Sequence, residues 1–105
     1  MSQETRVVYI SIPREDASNF ARELVDMRLA ACVNIIPKME SFYRWEGKTL
    51  ADSEALLIVK TSLARMTELQ AHVIEHHPYE IPELIAMPIT DGLAEYLNWV
   101  VKETE

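Results

Sequence analysis

Glycine is scarce in this 105-residue chain, which contains only Gly47 and Gly92. Dinucleotide-binding and P-loop proteins use glycine-rich loops to bring backbone amides against phosphate groups. The chain has neither of these motifs, so a nucleotide would need a different kind of binding site.

Cysteine occurs once, at Cys32. A single cysteine cannot form an internal disulfide framework or a CxxC zinc or redox site. Because Cys32 lies in the apolar run from Leu29 to Val33, we interpret it as a small buried hydrophobic residue. The alternative is a thiol ligand or nucleophile.

Basic residues are outnumbered, and long apolar runs are missing. Ten Lys and Arg residues against 17 Asp and Glu give a formal charge of −7. Most of the surface therefore repels polyanions, and we expect no nucleic-acid partner. No run approaches the ~18 apolar residues of a membrane span, and the segment Met1–Thr5 lacks the basic region of a signal peptide. We expect a soluble, unexported protein with no membrane partner.

The hydrophobic content, 49%, is sufficient for one globular domain over residues 1–105. Alternation predicts a first strand over Arg6–Ile12, with Val8, Ile10 and Ile12 on one face. Pro13 ends that strand. A helix follows and ends near Leu29, with an apolar stripe formed by Phe20, Ala21, Leu24, Val25 and Arg28.

A long hairpin comes next. Its first arm is predicted over Ala31–Trp45, with a bulge or edge position at Pro37, which cannot donate to the ladder. Glu46-Gly47-Lys48 forms the tip, and the second arm runs over Thr49–Thr61. At about 3.3 Å per residue these arms extend roughly 40 Å, against a radius of gyration of about 13 Å for a domain of this size.

The last third is predicted to contain a helix, a short strand and a second helix. Ser62 is a suitable N-cap for the first helix, whose buried stripe would be Leu63, Met66, Leu69, Val73 and Ile74. Pro82 and Pro88 bracket a strand over Leu84–Met87. Asp91-Gly92 introduces the terminal helix, with one apolar side formed by Leu93, Tyr96, Leu97, Val100 and Val101.

The element order β-α-β-β-α-β, followed by a C-terminal helix, predicts an α+β fold of the ferredoxin-like, split βαβ type. Both main helices would cover one face of a four-stranded antiparallel sheet. The opposite face is also apolar and needs another cover. Together with the long hairpin, this predicts an oligomer.

Three histidines fall within six residues, at His72, His76 and His77. His72 and His76 are four apart and share a helical face with Glu68, so a site of two nitrogens and one oxygen is possible. The alternative is a solvated helix flank. His77 lies over the apolar stripe instead, where a hydrogen bond to the backbone is the ordinary outcome.

A second possible site is a cleft where the proline-rich segment after the second helix meets a hairpin from another subunit. Its lining would be aromatic and polar: Tyr43, Arg44, Trp45, Tyr79, Glu80 and Glu83. This mixture suits a small-ligand pocket, or packing at a protein interface. Lys60 and Arg44 are possible contacts for an anion. No GxSxG, HExxH or local Cys-His motif is present, and we expect no enzyme activity.

Several ordered motifs resemble the CutA divalent-cation-tolerance proteins, and the match spans Arg6 to Trp99. They are Leu29–Pro37 (LAACVNIIP), Tyr43–Lys48 (YRWEGK), Val59–Thr61 (VKT), His76–Leu84 (HHPYEIPEL), Pro88–Gly92 (PITDG) and Tyr96–Trp99 (YLNW). The resemblance implies a ferredoxin-like subunit in a homotrimer that is cytoplasmic in bacteria and associated with tolerance of copper and other divalent metals.

The same resemblance implies the metal ligands. Copper-binding members are proposed to use the paired histidines, which are His76 and His77 here, and a cysteine at the end of the first strand. That position is Ser11 in this chain, a hard and weak ligand where a thiolate would select copper. Cys32 matches a second cysteine of the family and is interpreted as core.

Three functions follow. The first is a trimer that binds copper or another divalent metal ion through His76 and His77 and takes part in the response to metal ions. The second is a regulatory trimer, resembling nitrogen-signalling proteins, that binds a small ligand between subunits. The third is a stable trimeric scaffold for a protein partner.

Overall fold

The computed structural model describes residues 4–105; Met1–Gln3, part of the segment without a basic signal region, lie outside the described residues. The elements follow the predicted order. They are β1 (Thr5–Ile12), α1 (Arg14–Asp26), β2 (Cys32–Trp45), β3 (Lys48–Ser62), a short 3-10 helix (Leu63–Arg65), α2 (Met66–His76), β4 (Ile85–Pro88) and α3 (Ala94–Glu103).

The four strands form one antiparallel sheet in the order β2-β3-β1-β4. This arrangement confirms the ferredoxin-like fold. The long strand β2 and the short strand β4 are the two edges. The central pair, β1 and β3, is in register over all eight residues of β1.

The core lies between one sheet face and helices α1 and α2. Val8, Ile10 and Ile12 are fully buried on β1, as predicted, and they pack with Leu57 and Val59 of β3. Helix α1 buries Ala17, Phe20, Ala21 and Leu24. Val25, expected on that stripe, is exposed because it lies a further 100° around the helix from Leu24.

Helix α2 differs from its predicted stripe. Met66, Leu69 and Val73 are buried, but Leu63 and Ile74 are 47% and 76% exposed. The fourth buried position of α2 is His72. Ser62 is the N-cap residue, as predicted, but of the 3-10 helix that precedes α2, and its side chain makes no cap bond; its hydroxyl lies 3.0 Å from Thr104 Oγ1 instead.

The hairpin follows its prediction closely. The β2–β3 register shifts between Ile36 and Met39, so the bulge falls around Pro37, which also lies on an edge strand. Glu46 and Gly47 both have positive φ and form the two-residue turn. The molecule measures 47 × 25 × 23 Å, an elongated shape that agrees with a protruding hairpin.

The second sheet face is only partly covered. Helix α3 contacts β3 and β1 but fully buries only Val100 of its predicted apolar side, because Leu93 and Tyr96 are exposed. Trp99, outside that predicted side, is exposed as well. Cys32 is half-buried, not core, because it alternates with Val33, which packs on the core. An apolar face therefore remains open on this chain.

Candidate functional site

The candidate functional segment connects the end of α2 to β4 over residues 77–84 and is called the crossing below. Helix α2 ends at His76, and His77 has an extended backbone with φ −77° and ψ 140°. This conformation is what a following proline imposes, since Pro78 disfavours the α region for its neighbour. The turn aims His76 and His77 in different directions, although they are adjacent in sequence.

His77 is buried and uses both ring nitrogens. Its Nε2 lies 2.7 Å from the Ser11 carbonyl oxygen, and its Nδ1 accepts the backbone N–H of Tyr79 at 3.1 Å. A carbonyl only accepts, so the network assigns the proton to Nε2. The predicted backbone hydrogen bond of this histidine is confirmed.

His72 is buried as well. Its Nε2 lies 2.8 Å from Glu23 Oε1 of helix α1. Its ring also packs against Phe20, with the centroids 5.7 Å apart, and Phe20 contacts the His77 ring at 6.0 Å on the other side. His72 and His77 thus fasten α2 and the crossing to α1 and β1, and the solvated-flank interpretation does not hold for His72.

His76 is the accessible imidazole of the three. Its side chain is 46% exposed, and its ring lies 4.4 Å from that of His72 between centroids. With Asp16, Asn19 and Glu23 it lines a groove of about 260 Å³ against α1. Glu68 instead pairs with Arg65 at 2.7 Å. The carboxylate beside His76 is that of Glu75, with Oε1 3.7 Å from His76 Nε2, and Glu23 of α1 is the partner of His72.

The metal-ligand prediction can be compared with this geometry. Within residues 4–105 no group of three or more His, Cys, Asp or Glu side chains is arranged to hold a metal ion. His76 fits the role of a nitrogen ligand because it is accessible. His77 would have to release the Tyr79 amide or the Ser11 carbonyl first, so the His76-His77 pair stays a prediction.

Ser11, where the resemblance to copper-binding members implies a cysteine, contacts the crossing through two groups. Its hydroxyl donates to Glu83 Oε1 at 3.1 Å, and its carbonyl accepts from His77. Ser11 is buried at the end of β1. It therefore holds the crossing at two points.

The residues of the predicted aromatic and acidic cleft come together within one chain, whereas the prediction placed the cleft against a hairpin from another subunit; that intersubunit cleft stays a prediction. A cavity of about 770 Å³ lies between the second sheet face, the hairpin and the crossing. Of the six predicted residues, all but Arg44 line it; the Arg44 guanidinium donates to the Gly47 carbonyl at the hairpin tip, at 3.5 Å. Lys60 lies outside the cleft and donates to Asn34 Oδ1.

Two tyrosine–carboxylate pairs organise this cleft. The Tyr79 hydroxyl donates to Glu54 Oε2 at 2.6 Å, and the Tyr43 hydroxyl donates to Asp52 Oδ2. Burial, the Glu54 bond and nearby negative charges raise the pKa of Tyr79 above its ordinary value of 10.0. The Asp52 bond, and then desolvation, raise the pKa of Tyr43. Both phenols stay protonated at neutral pH.

Sequence reasoning missed Glu23, Asp52 and Glu54 as members of these sites. Asp52 and Glu54 are two apart on β3, so alternation places them on one face together with Leu56, which also lines the cleft. Their shared face could therefore have been predicted from the sequence. Glu23 meets His72 across two helices, a contact 49 residues apart that no local pattern encodes.

The strand order and the two helices on one face define the class, a ferredoxin-like α+β protein. The chain belongs to the CutA1 divalent ion tolerance protein family, whose profile matches residues 6–103. No helix among residues 4–105 is long and apolar enough to cross a membrane.

Two relatives illustrate the match. The divalent-cation tolerance protein CutA of Thermus thermophilus is 46% identical over 99 residues, which cover 93% of this chain and 96% of that protein. The chloroplastic protein CutA of Arabidopsis thaliana is 48% identical over 99 residues, again 93% of this chain. The chain spans only about half of the Arabidopsis protein, 54%.

Solved structures agree with the fold. The Thermus thermophilus divalent cation tolerance protein superposes with a TM-score of 0.93 at 45% identity, covering 96% of this chain and 99% of that one. A CutA from Nostoc, described as PII-like and solved in its apo form, gives a TM-score of 0.90 at 31% identity, covering 95% of this chain and 97% of that one.

Proposed function

We propose that this chain is a single-domain divalent-cation-tolerance protein, over residues 1–105, that binds copper or another divalent metal ion and takes part in the response to metal ions. It acts in this proposal as a cytoplasmic homotrimer without enzyme activity and without a nucleic-acid or membrane partner. Membership of the CutA1 family supports the link to divalent ions.

The observation that carries the proposal is the accessible His76 beside two carboxylates. Imidazole nitrogen and carboxylate oxygen together suit borderline divalent ions, and the stability order favours copper over zinc. His76 provides the first ligand, and Asp16 and Glu23 line the same groove, Glu23 with its Oε2 because its Oε1 stays paired with His72. His77 joins as the second imidazole once its Nδ1 releases the Tyr79 amide. A site that must rearrange in this way binds more weakly than a preformed one.

A copper titration tests the proposal. Calorimetry at neutral pH compares the parent oligomer with the His76→Ala, His77→Ala double variant and with His76→Ala alone. We expect saturable binding in the parent and its loss in the double variant. The single variant should lose most of it, since His76 is the accessible ligand. Equal copper affinity in parent and double variant would contradict the proposal.

A regulatory trimer that binds a small ligand is the second candidate. The cleft of about 770 Å³ with its aromatic walls favours it, because small-ligand sites are concave and mostly apolar with a few placed polar groups. A thermal-shift screen tests it, since a ligand bound only by the native state raises the melting temperature. The scaffold hypothesis stays a prediction.

A further inference from the structure

We propose that the cleft between the hairpin and the crossing is closed by the hairpin of a neighbouring copy of this chain, whose Arg44 pairs with Glu54 inside the cleft. The contact rests on the homotrimer proposed above and adds to it the two surfaces and the ion pair that join the subunits. It does not depend on metal binding. Three features carry it: the charge of the cleft, the free oxygen of Glu54 and the position of Arg44.

The cleft carries negative charge only. Four of its fifteen lining residues are acidic, and none of the fifteen is Lys, Arg or His. Three of the acids accept a hydroxyl group from the same chain: Asp52 from Tyr43, Glu54 from Tyr79 and Glu83 from Ser11. A hydroxyl is a neutral donor, so the negative charge stays uncompensated. A subunit that covered this face without a cation would bury these carboxylates unpaired, which is strongly unfavourable.

Glu54 has the most to gain from a cation. The residue is only 6% exposed, and its Oε2 accepts the Tyr79 hydroxyl at 2.6 Å. Its Oε1 accepts no hydrogen bond from the described residues, yet no fully buried side-chain oxygen among them lacks a partner. Oε1 therefore keeps contact with solvent in the single chain. Once a subunit covers the cleft, this oxygen loses its water, and a charged N–H donor is the strongest replacement.

The hairpin tip supplies the cation. Arg44 and Lys48 flank the two-residue turn, and within residues 4–105 neither pairs with a carboxylate. Lys48 shares a face with its register partner Trp45, which lines the cleft of its own chain. Arg44 lies on the opposite face together with Phe42, which is 68% exposed. The end of this elongated molecule thus carries a bare face that is both basic and aromatic.

Arg44 suits the cleft better than Lys48 does. A guanidinium group pairs with carboxylates through two parallel N–H groups and stacks on aromatic rings, whereas an ammonium group is compact and strongly hydrated. The cleft offers both kinds of partner, since the rings of Tyr9 and Tyr79 lie beside its carboxylates. The hydrogen bond of Arg44 to the Gly47 carbonyl is long, 3.5 Å, and is easily given up.

Arg44 and Glu54 cannot meet within one chain. Glu54 is in register with Met39, five residues before Arg44 on β2. At about 3.3 Å per residue the two positions are roughly 16 Å apart, and they project from opposite faces of the hairpin. A ring of three subunits joins each copy to the next through two different surfaces. The basic hairpin face of one copy and the acidic cleft of the next are the complementary pair that such a ring needs.

Subunit exchange tests this contact. Isotope-labelled and unlabelled protein are mixed, and native mass spectrometry follows the appearance of mixed trimers. Breaking a buried charge pair mainly speeds dissociation, so Arg44→Met should exchange at least tenfold faster than the parent. Glu54→Gln keeps an acceptor for Tyr79 and should have a similar effect. Because the two residues act as one pair, the double variant should be no faster than the faster single variant.

Lys48→Met is the matched control. It removes the same charge from the other side of the turn, and it should exchange within twofold of the parent. Equal exchange rates of Arg44→Met and Lys48→Met in an intact trimer would overturn the contact, and this comparison suffices if Glu54→Gln fails to fold. A double variant whose acceleration equals the product of the two single effects would also overturn it, since residues that do not touch act independently.

The outcome is separable from that of the function proposed above. A monomeric parent would overturn this contact together with the homotrimer, whereas a parent trimer that Arg44→Met leaves unchanged would overturn the contact alone. His76→Ala lies on the helix side of the sheet and should exchange subunits like the parent. Failure of the copper titration and failure of the ion pair are therefore different results.

Discussion

At the scale of single residues, the crossing is held by His77, whose ring bonds to backbone groups on both sides. The Ser11 carbonyl belongs to β1 and the Tyr79 amide to the crossing itself. Tyr79 then extends the network to Glu54 of β3. One imidazole therefore links the end of α2 to the sheet and indirectly sets the shape of the cleft.

Replacing His77 by Ala should lower the free energy of unfolding by about 2–4 kcal/mol, because each buried polar group left without a partner costs about 1–3 kcal/mol. Urea unfolding at fixed protein concentration measures this. His76→Ala is the matched control and should change stability by less than about 0.5 kcal/mol, since it is a half-exposed side chain. Equal effects of the two variants would refute the role given to His77.

Tyr79 should make stability depend on alkaline pH. Its pKa is raised in the folded chain, so between the ordinary value of 10.0 and the folded value the unfolded chain loses a proton that the folded chain keeps. The free energy of unfolding is therefore unaffected by this group below about pH 9 and falls as the pH rises above about 10. Melting curves of parent and Tyr79→Phe should show a shallower alkaline decline in the variant; parallel declines would rule this out.

The histidines show what sequence could predict at this scale. The backbone bond of His77 was predictable, since an imidazole over an apolar stripe near a helix end needs a partner. The burial of His72 was not, because its carboxylate partner lies on α1, 49 residues away. The i, i+4 spacing correctly predicted that the His72 and His76 rings lie side by side. Of the two side chains, however, only that of His76 is exposed.

At the scale of elements, the hairpin depends on a two-residue turn in which both residues have positive φ, 51° at Glu46 and 81° at Gly47. Such a turn matches the right-handed twist of the strands. The arms keep one register from Met39–Glu54 down to Trp45–Lys48. The turn therefore positions Tyr43, Trp45 and Asp52, all of which line the cleft.

Gly47→Ala should lower the free energy of unfolding by about 1 kcal/mol. No atom outside its two chain neighbours would come within 4 Å of the added Cβ, so the cost comes from the left-handed backbone alone. Lys48→Ala, one residue further on in extended backbone, is the control and should cost less. Chemical denaturation of both variants measures the free energy of unfolding. No change in that free energy for Gly47→Ala would contradict the turn geometry.

Element order, the bulge at Pro37 and the bracketed strand were predictable because proline, glycine and alternation are local signals. The start of α2 was not. Ser62 precedes a 3-10 turn and not α2 itself, and its hydroxyl pairs with that of Thr104, just after α3, and makes no cap bond. A tertiary contact 42 residues away prevailed over the local preference.

At the scale of the whole molecule, one sheet face has a core and the other lacks a complete cover. Tyr43, Trp45 and Leu50 are exposed on this face of the hairpin, Phe42 is exposed on its other face, and Tyr96 and Trp99 are exposed on α3. A patch of this kind on a small protein marks an interaction surface. Both apolar faces of the sheet were visible in the sequence, but the number of subunits was not, because alternation within one chain carries no symmetry.

The proposed homotrimer predicts a particular mass in solution. Light scattering at micromolar concentration should give about three times the 12.1 kDa of the chain. Phe42→Asp, which places a charge on an exposed hairpin aromatic, should reduce that mass, since an unpaired charge is costly to bury in an interface. A parent protein that stays monomeric would be inconsistent with the proposal.

The most direct test of the proposed function observes the imidazole nitrogens while a diamagnetic divalent ion is added. Zinc titration followed by nitrogen NMR of the three histidines reports which ring binds metal. We predict that the signal of His76 shifts first, that His77 follows, and that His72 keeps its bond to Glu23. If all three histidines remained unshifted at saturating zinc, the crossing would not be a metal site and the metal-binding account would be wrong.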